Sequence, residues 1–157
     1  MCEKGIVNGT SEETFSPDSP ILREELVKII CGVLNLNCDD VKRISFSDLN
    51  ENHWSYKYVA KAYEYGIIKG VSDTMFGTGE PVTRQDICVI LSRLMENNGK
   101  SNLEFTDKDK IADYAKDAVS LLSSKGIVSG FDDKTFKPYD KCTRGQAVLI
   151  IYNQITR

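Results

Sequence analysis

Residues 66–87 read GIIKGVSDTMFGTGEPVTRQDI, and two related copies of this stretch occur elsewhere in the 157-residue chain. The other copies, at 5–26 and 126–147, read GIVNGTSEETFSPDSPILREEL and GIVSGFDDKTFKPYDKCTRGQA. All three align without a gap. They share two glycines, a phenylalanine and an arginine: Gly5, Gly66 and Gly126; Gly9, Gly70 and Gly130; Phe15, Phe76 and Phe136; Arg23, Arg84 and Arg144. A repeat of this kind predicts structural units that bury their apolar faces against one another.

A second shared piece precedes two of the copies. It reads FSDLNENHWSYKYVAKAYEYGI from Phe46 and FTDKDKIADYAKDAVSLLSSKGI from Phe105, with one extra residue in the later copy. The first copy lacks this half. We therefore predict a partial repeat at 1–40 and whole repeats at 41–100 and 101–157, forming one compact pseudo-threefold unit. Upstream sequence, or a second chain in a homo-oligomer, would complete the first repeat.

Apolar residues recur at helical spacing in both halves of the repeat, which predicts two helices per whole copy. The first helix should end at Gly66 or Gly126, because glycine tolerates the positive φ of a helix C-cap. The second should begin after Thr83 or Thr143, each followed three residues later by an Asp or Gln, as in a capping box. We expect an all-α fold in which three helical lobes surround a central bundle of the three arginine-bearing helices, the first lobe being incomplete.

Each of these second helices carries an arginine at its start, where the helix dipole is already positive. A cation there costs about 0.3–1 kcal/mol, so a partner for each arginine is expected. A bound carboxylate or phosphate would fit the guanidinium fork and the unpartnered N–H groups of the helix start. The alternative is an ion pair with an aspartate of a neighbouring repeat. The candidate residues for this site are Arg84, Arg144, Arg23, Thr83, Thr143, Asp48 and Asp107.

Trp54 and Tyr114 occupy matched places at the start of the first helix of the two whole repeats. An aromatic residue there is most often part of the core, but it also suits a ligand wall, since aromatic faces stack on sugar rings. Gly70 and Gly130 are most simply turn residues, and they would also let a ligand approach the backbone closely. We keep all four residues as binding candidates.

Composition excludes several classes of function. The formal net charge is −3 with no long run of like charges, which argues against nucleic acid as a partner. No apolar run approaches the length of a membrane-spanning helix, so membrane insertion is not expected. His53 is the only histidine and no ligand spacing occurs, so we expect neither a metal site nor a cofactor. Free, partly buried thiols are the simplest interpretation of the five cysteines, Cys2, Cys31, Cys38, Cys88 and Cys142.

The repeats resemble the S-layer homology domain of bacterial cell-surface proteins. Five marks in order carry the resemblance: FSDLNENHW with its F-x-D start and tryptophan, GIIKG, SDTMF and VTRQD. The resemblance implies an exported protein of the Gram-positive cell surface whose signal peptide is not in this chain. It also implies a non-catalytic module that binds a peptidoglycan-linked secondary cell-wall polysaccharide in grooves between repeats. In many members that polymer carries a pyruvate ketal, held by the arginine that matches Arg84, Arg144 and, less closely, Arg23.

Two other functions remain open from the sequence. One is self-association in a surface lattice, which needs an exposed apolar patch. The other is a fragment of an enzyme acting on wall glycan, which needs two facing carboxylates; the adjacent acids Asp132 and Asp133 diverge in a loop and do not supply them. For the anchoring function, we expect replacement of Arg84 and Arg144 by alanine to abolish wall binding with little change in thermal unfolding.

Overall fold

The computed structural model describes residues 16–96 and 102–156. Within these residues the fold is helical and contains no strand, which confirms the predicted all-α class. Five α-helices follow in order: α1 (Arg23–Val33), α2 (Tyr56–Glu64), α3 (Arg84–Ser92), α4 (Asp113–Ser124) and α5 (Arg144–Thr156), with a short 3₁₀ helix at Lys108–Lys110 before α4. Among these helices none is long and apolar enough to cross a bilayer.

The chain divides into two compact units, an N-terminal unit (Met1–Pro81) and a C-terminal unit (Val82–Arg157). In the N-terminal unit α1 packs on α2, and in the C-terminal unit α3 packs on α4. The boundary falls just before Thr83, inside a sequence repeat rather than between repeats. Each unit therefore joins the arginine-bearing helix of one copy to the first helix of the next. The three-lobed arrangement around a central bundle, and the boundaries at 40 and 100, stay predictions.

The predicted apolar stripes lie in the interior. Leu26, Ile29 and Ile30 of α1, Ile87, Ile90 and Leu91 of α3, and Ala147, Ile150 and Ile151 of α5 are buried. Burial of a side chain of this size contributes about 1.5–3 kcal/mol, so the stripes are the main source of each unit's stability. Gln154 breaks the third stripe, and its Nε2 donates to the Leu91 carbonyl 3.2 Å away, which joins the ends of α5 and α3.

The helix ends follow the predicted chemistry. Gly66 and Gly126 follow α2 and α4 with φ of 70° and 65°. Thr83 caps α3 by accepting the Asp86 N–H at 3.3 Å. Thr143 and Gln146 form both halves of a capping box, at 3.2 Å each. The Leu22 side chain has no oxygen with which to cap α1. Only the other hydrogen bond of the capping box forms there, in which the Leu22 N–H donates to Glu25 Oε2 at 2.9 Å.

Candidate functional site

Arg84 lies folded into the C-terminal unit rather than on its surface. Its exposed fraction is 7%. Its Nε donates to the Phe136 carbonyl at 2.8 Å, and its Nη2 donates to the Ser129 carbonyl at 3.2 Å. These carbonyls belong to the loop that follows α4. The guanidinium therefore ties the start of α3 to a loop about fifty residues further along the chain.

Aromatic rings enclose the same guanidinium. The Arg84 Cζ lies 4.5 Å from the centroid of the Phe131 ring and 5.0 Å from that of Phe136. Burial lowers the pKa of Arg84, although an arginine in a protein stays charged. Among the residues that the structure describes, no carboxylate forms an ion pair with Arg84. A buried cation is thus compensated by carbonyl dipoles and ring faces rather than by an aspartate.

Arg23 repeats this arrangement in the N-terminal unit. Its Nε donates to the Phe76 carbonyl at 2.9 Å, its Nη2 donates to the Lys69 carbonyl at 3.3 Å, and its Cζ lies 5.3 Å from the Phe76 ring centroid. Phe76 and Phe136, the phenylalanines shared by the repeats, are buried under their loops. The two arginines therefore clamp equivalent loops in the same way.

Asp48 and Asp107 do not serve as the ion-pair partners that the alternative interpretation assigned to them. The Asp48 carboxylate accepts the backbone N–H groups of Phe76, Gly77 and Thr78 at 2.7–2.8 Å. Asp107 accepts the equivalent groups of Phe136 and Lys137 at 2.7 and 2.8 Å. Each aspartate therefore holds the N–H groups of the loop whose carbonyls bind the arginine.

The environment of Asp48 favours its charged form. Burial opposes ionisation, but the N–H groups of Phe76, Thr78 and Gly77 together outweigh it and lower the pKa of the carboxyl below its ordinary value. The carboxylate is therefore ionised at neutral pH, and its bonds to the loop are charge-assisted.

The helix starts are not the vacant anion sites that the sequence suggested. In α3 the Arg84 N–H donates to the Asp140 carbonyl at 2.9 Å, and the Gln85 N–H donates to the Pro138 carbonyl at 3.0 Å. Thr83 takes the next N–H. The Arg23 N–H of α1 likewise donates to the Glu80 carbonyl at 3.0 Å. Backbone carbonyls of the loop in the next copy of the repeat thus satisfy donors that we expected a ligand to meet.

Arg144 begins α5 and is buried like the other two arginines. By the repeat, its loop partner would be the stretch around Phe15. That stretch, together with Gly5 and Gly9, lies outside the described residues.

Trp54 and Tyr114 are exposed, with exposed fractions of 49% and 63%, so the core alternative does not apply to either residue, and their contact with a ligand stays a prediction. The Tyr114 hydroxyl donates to Asp86 Oδ1 at 2.8 Å and accepts from Gln85 Nε2 at 3.1 Å. Partial burial, followed by the hydrogen bond to the Asp86 carboxylate, raises the pKa of Tyr114 to about 12. The phenol therefore stays protonated at neutral pH, with one ring face open to solvent beside the start of α3.

Sequence reasoning missed three residues of this surface. Gln85 and Asp86 were read only as part of a helix start, yet they fix the Tyr114 hydroxyl. Tyr139, in the loop segment whose carbonyls cap α3, is 62% exposed and is among the lesser causes that raise the pKa of Tyr114. Tyr139 could have been noticed in the sequence because it lies in the turn-forming segment KPYDK, shortly before the Thr143-Arg144 pair. We call Gln85, Asp86, Tyr114 and Tyr139 the tyrosine rim.

Gly70 and Gly130 are required by internal packing rather than by a ligand. A Cβ at Gly70 would collide with the carbonyls of Ser72 and Met75 and lie 2.8 Å from Phe46 Cε1. A Cβ at Gly130 would lie 3.0 Å from both Phe105 Cε1 and the Thr135 carbonyl. The chain's own loop fills the space that we had reserved for a bound molecule.

Two surface cavities occur at other places. One, of about 320 Å³, is lined by residues including Lys28, Cys31 and Tyr58; the other, of about 700 Å³, is lined by residues including Lys108 and Asp117. Neither of these two cavities is lined by the buried arginines. No group of three or more metal-ligating side chains occurs within the described parts of the chain.

A family model described as the S-layer homology domain matches residues 3–27, 45–88 and 104–148. Curated relatives include an amylopullulanase of Thermoanaerobacterium thermosulfurigenes, 27% identical over 100% of this chain and 9% of the relative. A cellulosome-anchoring protein of Acetivibrio thermocellus is 25% identical over 91% of this chain and 34% of its own length. The S-layer protein EA1 of Bacillus anthracis is 27% identical over 96% of this chain and 18% of its own length. The chain thus spans between 9% and 34% of the length of these relatives.

Proposed function

Because the chain belongs to the S-layer homology domain family, we propose that it is a non-catalytic module that anchors a cell-surface protein by binding an acidic secondary cell-wall polysaccharide. The family and its S-layer relatives assign the chain to the cell surface. The name of the cellulosome-anchoring relative supports an anchoring role. In the amylopullulanase the matched part is a small share of a much longer chain, which is consistent with an attachment module separate from catalysis.

The observation that carries the proposal is the state of Arg84. Its guanidinium is buried, charged and not ion-paired within the described residues, with two of its N–H groups on carbonyls. A desolvated cation attracts an anion more strongly than a hydrated one, since the local dielectric is low. A carboxylate such as that of a pyruvate ketal would complete its charge balance. Arg23 and Arg144 are the equivalent candidates in the other copies.

The tyrosine rim would hold the sugar to which that carboxylate is attached. The exposed rings of Tyr114 and Tyr139 offer faces for a pyranose, and Asp86 and Gln85 offer hydrogen-bond partners for hydroxyls. Trp54 is the matching aromatic in the N-terminal unit. Thr83 and Thr143 cap the helices beside the arginines, while Asp48, Asp107, Gly70 and Gly130 build the loops that support them. We therefore assign these last residues a positioning role rather than contact with the polymer.

Co-sedimentation with purified wall sacculi tests the proposal. We expect the chain to sediment with sacculi that carry the polymer, and not with sacculi from which the polymer has been chemically removed. Mild acid that cleaves ketals while sparing the glycan chain should reduce binding if the pyruvate carboxylate is recognised. Equal sedimentation with intact and stripped sacculi would overturn the proposal.

A matched pair of variants separates binding from folding. Tyr139→Ala removes an exposed ring that makes no hydrogen bond in the structure, so unfolding should change little while wall binding weakens. Tyr65→Ala removes a similarly exposed ring at the end of α2 and should leave binding intact. If both variants bind like the wild type, the tyrosine rim is not the contact surface.

A second function, self-association, is favoured by one observation on α5. Leu149, Tyr152 and Ile155 follow one another at i, i+3 and i+6 and are each more than half exposed. The matched residues of α1 include Lys28, which lies over the rings of Trp54 and Tyr58, and Cys31, which is buried. In the N-terminal unit this face of α1 packs against α2, whereas the matching face of α5 is exposed to solvent. Sedimentation velocity should show a concentration-dependent dimer that Tyr152→Glu abolishes; a strictly monomeric chain would reject this function.

A further inference from the structure

Two cysteines meet at the end of α1. Cys31 lies in the last turns of the helix, and Cys38 follows after the chain has reversed through Asn35, whose φ is 52°. The Leu36 N–H donates to the Cys31 carbonyl at 3.0 Å, which holds the reversal in place. Both cysteines are buried, with exposed fractions of 1% and 7%. Seven positions apart in sequence, they are brought to the same place by the helix C-terminus.

Both side chains line the same cavity of about 320 Å³. The Cys31 thiol donates to the Tyr58 carbonyl of α2, and the Cys38 thiol donates to the Leu36 carbonyl, each at 3.5 Å. The neighbouring Cys38 is also among the causes that raise the pKa of Cys31, in agreement with the shared cavity. The cavity gives a small reagent access to sulfur atoms that are otherwise covered by protein.

We propose that Cys31 and Cys38 are a covalent modification site, at which an intramolecular disulfide forms by exchange with a small-molecule disulfide. The Cys38 thiolate attacks one sulfur of the reagent, forms a mixed disulfide and releases one thiolate. The Cys31 thiol then loses its proton and attacks the Cys38 sulfur, which releases the second thiolate. The two cysteines are oxidised, the reagent is reduced to two thiols, and the two protons lost by the cysteines protonate the released thiolates.

The order of attack follows from the surroundings of the two sulfurs. Burial first, and then the neighbouring Cys38, raise the pKa of Cys31 to about 12, so Cys31 is a poor first nucleophile at neutral pH. Formation of the mixed disulfide consumes the Cys38 thiol and so removes one of these causes. Oxidation should therefore accelerate as the pH rises. A cell-surface location supplies the oxidising surroundings in which such a bond persists.

Cys88 and Cys142 provide an internal control. Both are fully buried in the C-terminal unit, and neither lines either described cavity. Burial raises the pKa of Cys88 to about 12 and that of Cys142 to about 11. They should stay thiols under conditions that oxidise the pair at α1.

The test uses the full chain with Cys2→Ser, since Cys2 lies outside the described residues. The folded protein is incubated with oxidised glutathione at mildly alkaline pH, denatured, alkylated and digested with trypsin. We expect peptide 29–42, which contains both Cys31 and Cys38, to carry no alkyl group and to be two hydrogens lighter than the dithiol peptide. The peptides of Cys88 and Cys142 should be alkylated normally. The cross-link should raise the thermal midpoint by about 5 °C relative to the reduced chain.

Two results would overturn the proposal. One is full alkylation of Cys31 and Cys38 after oxidation; the other is equal loss of label at Cys88 and Cys142. Cys38→Ser guards against a false positive, because Cys31 should then stay alkylatable and the rise in thermal midpoint should vanish. None of these measurements depends on wall binding, so their outcome is independent of whether the anchoring function is correct.

Discussion

The two arginine clamps share one backbone frame but have different polar surroundings. In both units the arginine donates from Nε to the carbonyl of the buried phenylalanine and from Nη2 to a loop carbonyl. The residue that follows each arginine differs between the two units in type and in hydrogen-bond partners. Glu24 reaches the Gly79 N–H of its own loop, whereas Gln85 turns to Tyr114 and to the Ala112 N–H. The shared part maintains the fold, so differences in ligand recognition must come from the rim.

The aromatic residue beside each clamp differs in the same sense. Trp54 lies near two other rings and beneath the ammonium of Lys28, 5.7 Å from its ring centroid. Tyr114 instead hydrogen-bonds to the carboxylate of Asp86. A glycan with a carboxylate would meet a cation beside the tryptophan and an anion beside the tyrosine. We therefore expect the two surfaces to contribute unequally to binding.

Arg84→Ala should have the largest effect on stability. It leaves the carbonyls of Phe136 and Ser129 without their donor and opens a void between two rings, so we expect a loss of about 3 kcal/mol in the free energy of unfolding. Urea denaturation at neutral pH measures this loss. The structure thereby reverses our expectation from the sequence that unfolding would hardly change.

Arg84→Lys sharpens that test, because lysine retains the charge but cannot donate from two planar nitrogens. Its stability should lie between those of the wild type and the alanine variant. If alanine and lysine variants both unfold like the wild type, the clamp does not hold the loop.

Asp48→Ala should cost more than Asp107→Ala, since the first aspartate accepts three loop N–H groups and the second accepts two. We expect losses of about 2 and 1 kcal/mol. Thermal unfolding of the two variants side by side gives the comparison. The reverse order would mean that the N–H count does not determine how firmly each loop is held.

Thr83→Ala should cost about 1 kcal/mol, because the cap of α3 loses its oxygen acceptor. Thr83→Ser keeps that oxygen and should restore most of the loss in urea denaturation. Leu22, at the same place before α1, already lacks such an oxygen. A serine variant as unstable as the alanine variant would show that the threonine methyl, and not the cap, matters.

The smallest expected effect is on how the stability of the protein changes at low pH. The lowered pKa of Asp48 contributes stability that is present above the unfolded pKa of about 4 and is lost as the pH falls through the folded value. The stability gap between wild type and Asp48→Asn should therefore narrow below about pH 4. Unfolding measured from pH 7 downward checks this, and a gap that widens in acid would contradict it.

The helices and their ends could be predicted from the sequence because their determinants are local. The apolar stripe of α3, the cap at Thr83 and the glycine after α2 each lie within a few residues of what they determine. The buried Phe76 and Phe136 were recognised because the repeat placed them identically.

The partners of the arginines could not be predicted in this way. Arg84 binds carbonyls that are 45 and 52 residues distant, and a backbone carbonyl has no signature in the sequence. The same holds for Gln85, whose N–H meets the Pro138 carbonyl. The sequence analysis expected a bound anion as the partner, with an aspartate as the alternative, because a sequence shows side chains but not which backbone carbonyls lie nearby. The binding role of this region stays a prediction, whereas the ion pairs with Asp48 and Asp107 that the alternative interpretation assumed are not formed.

The most direct test of the anchoring account is a titration followed through the Arg84 Nε–H resonance in ¹⁵N-labelled protein. Its hydrogen bond to Phe136 should keep this proton visible at neutral pH. We expect a saturable shift on addition of an N-acetylmannosamine-type sugar bearing a pyruvate ketal, and no shift with the same sugar lacking pyruvate. An unchanged resonance while the chain sediments with intact sacculi, or equal shifts with both sugars, would contradict carboxylate recognition at Arg84.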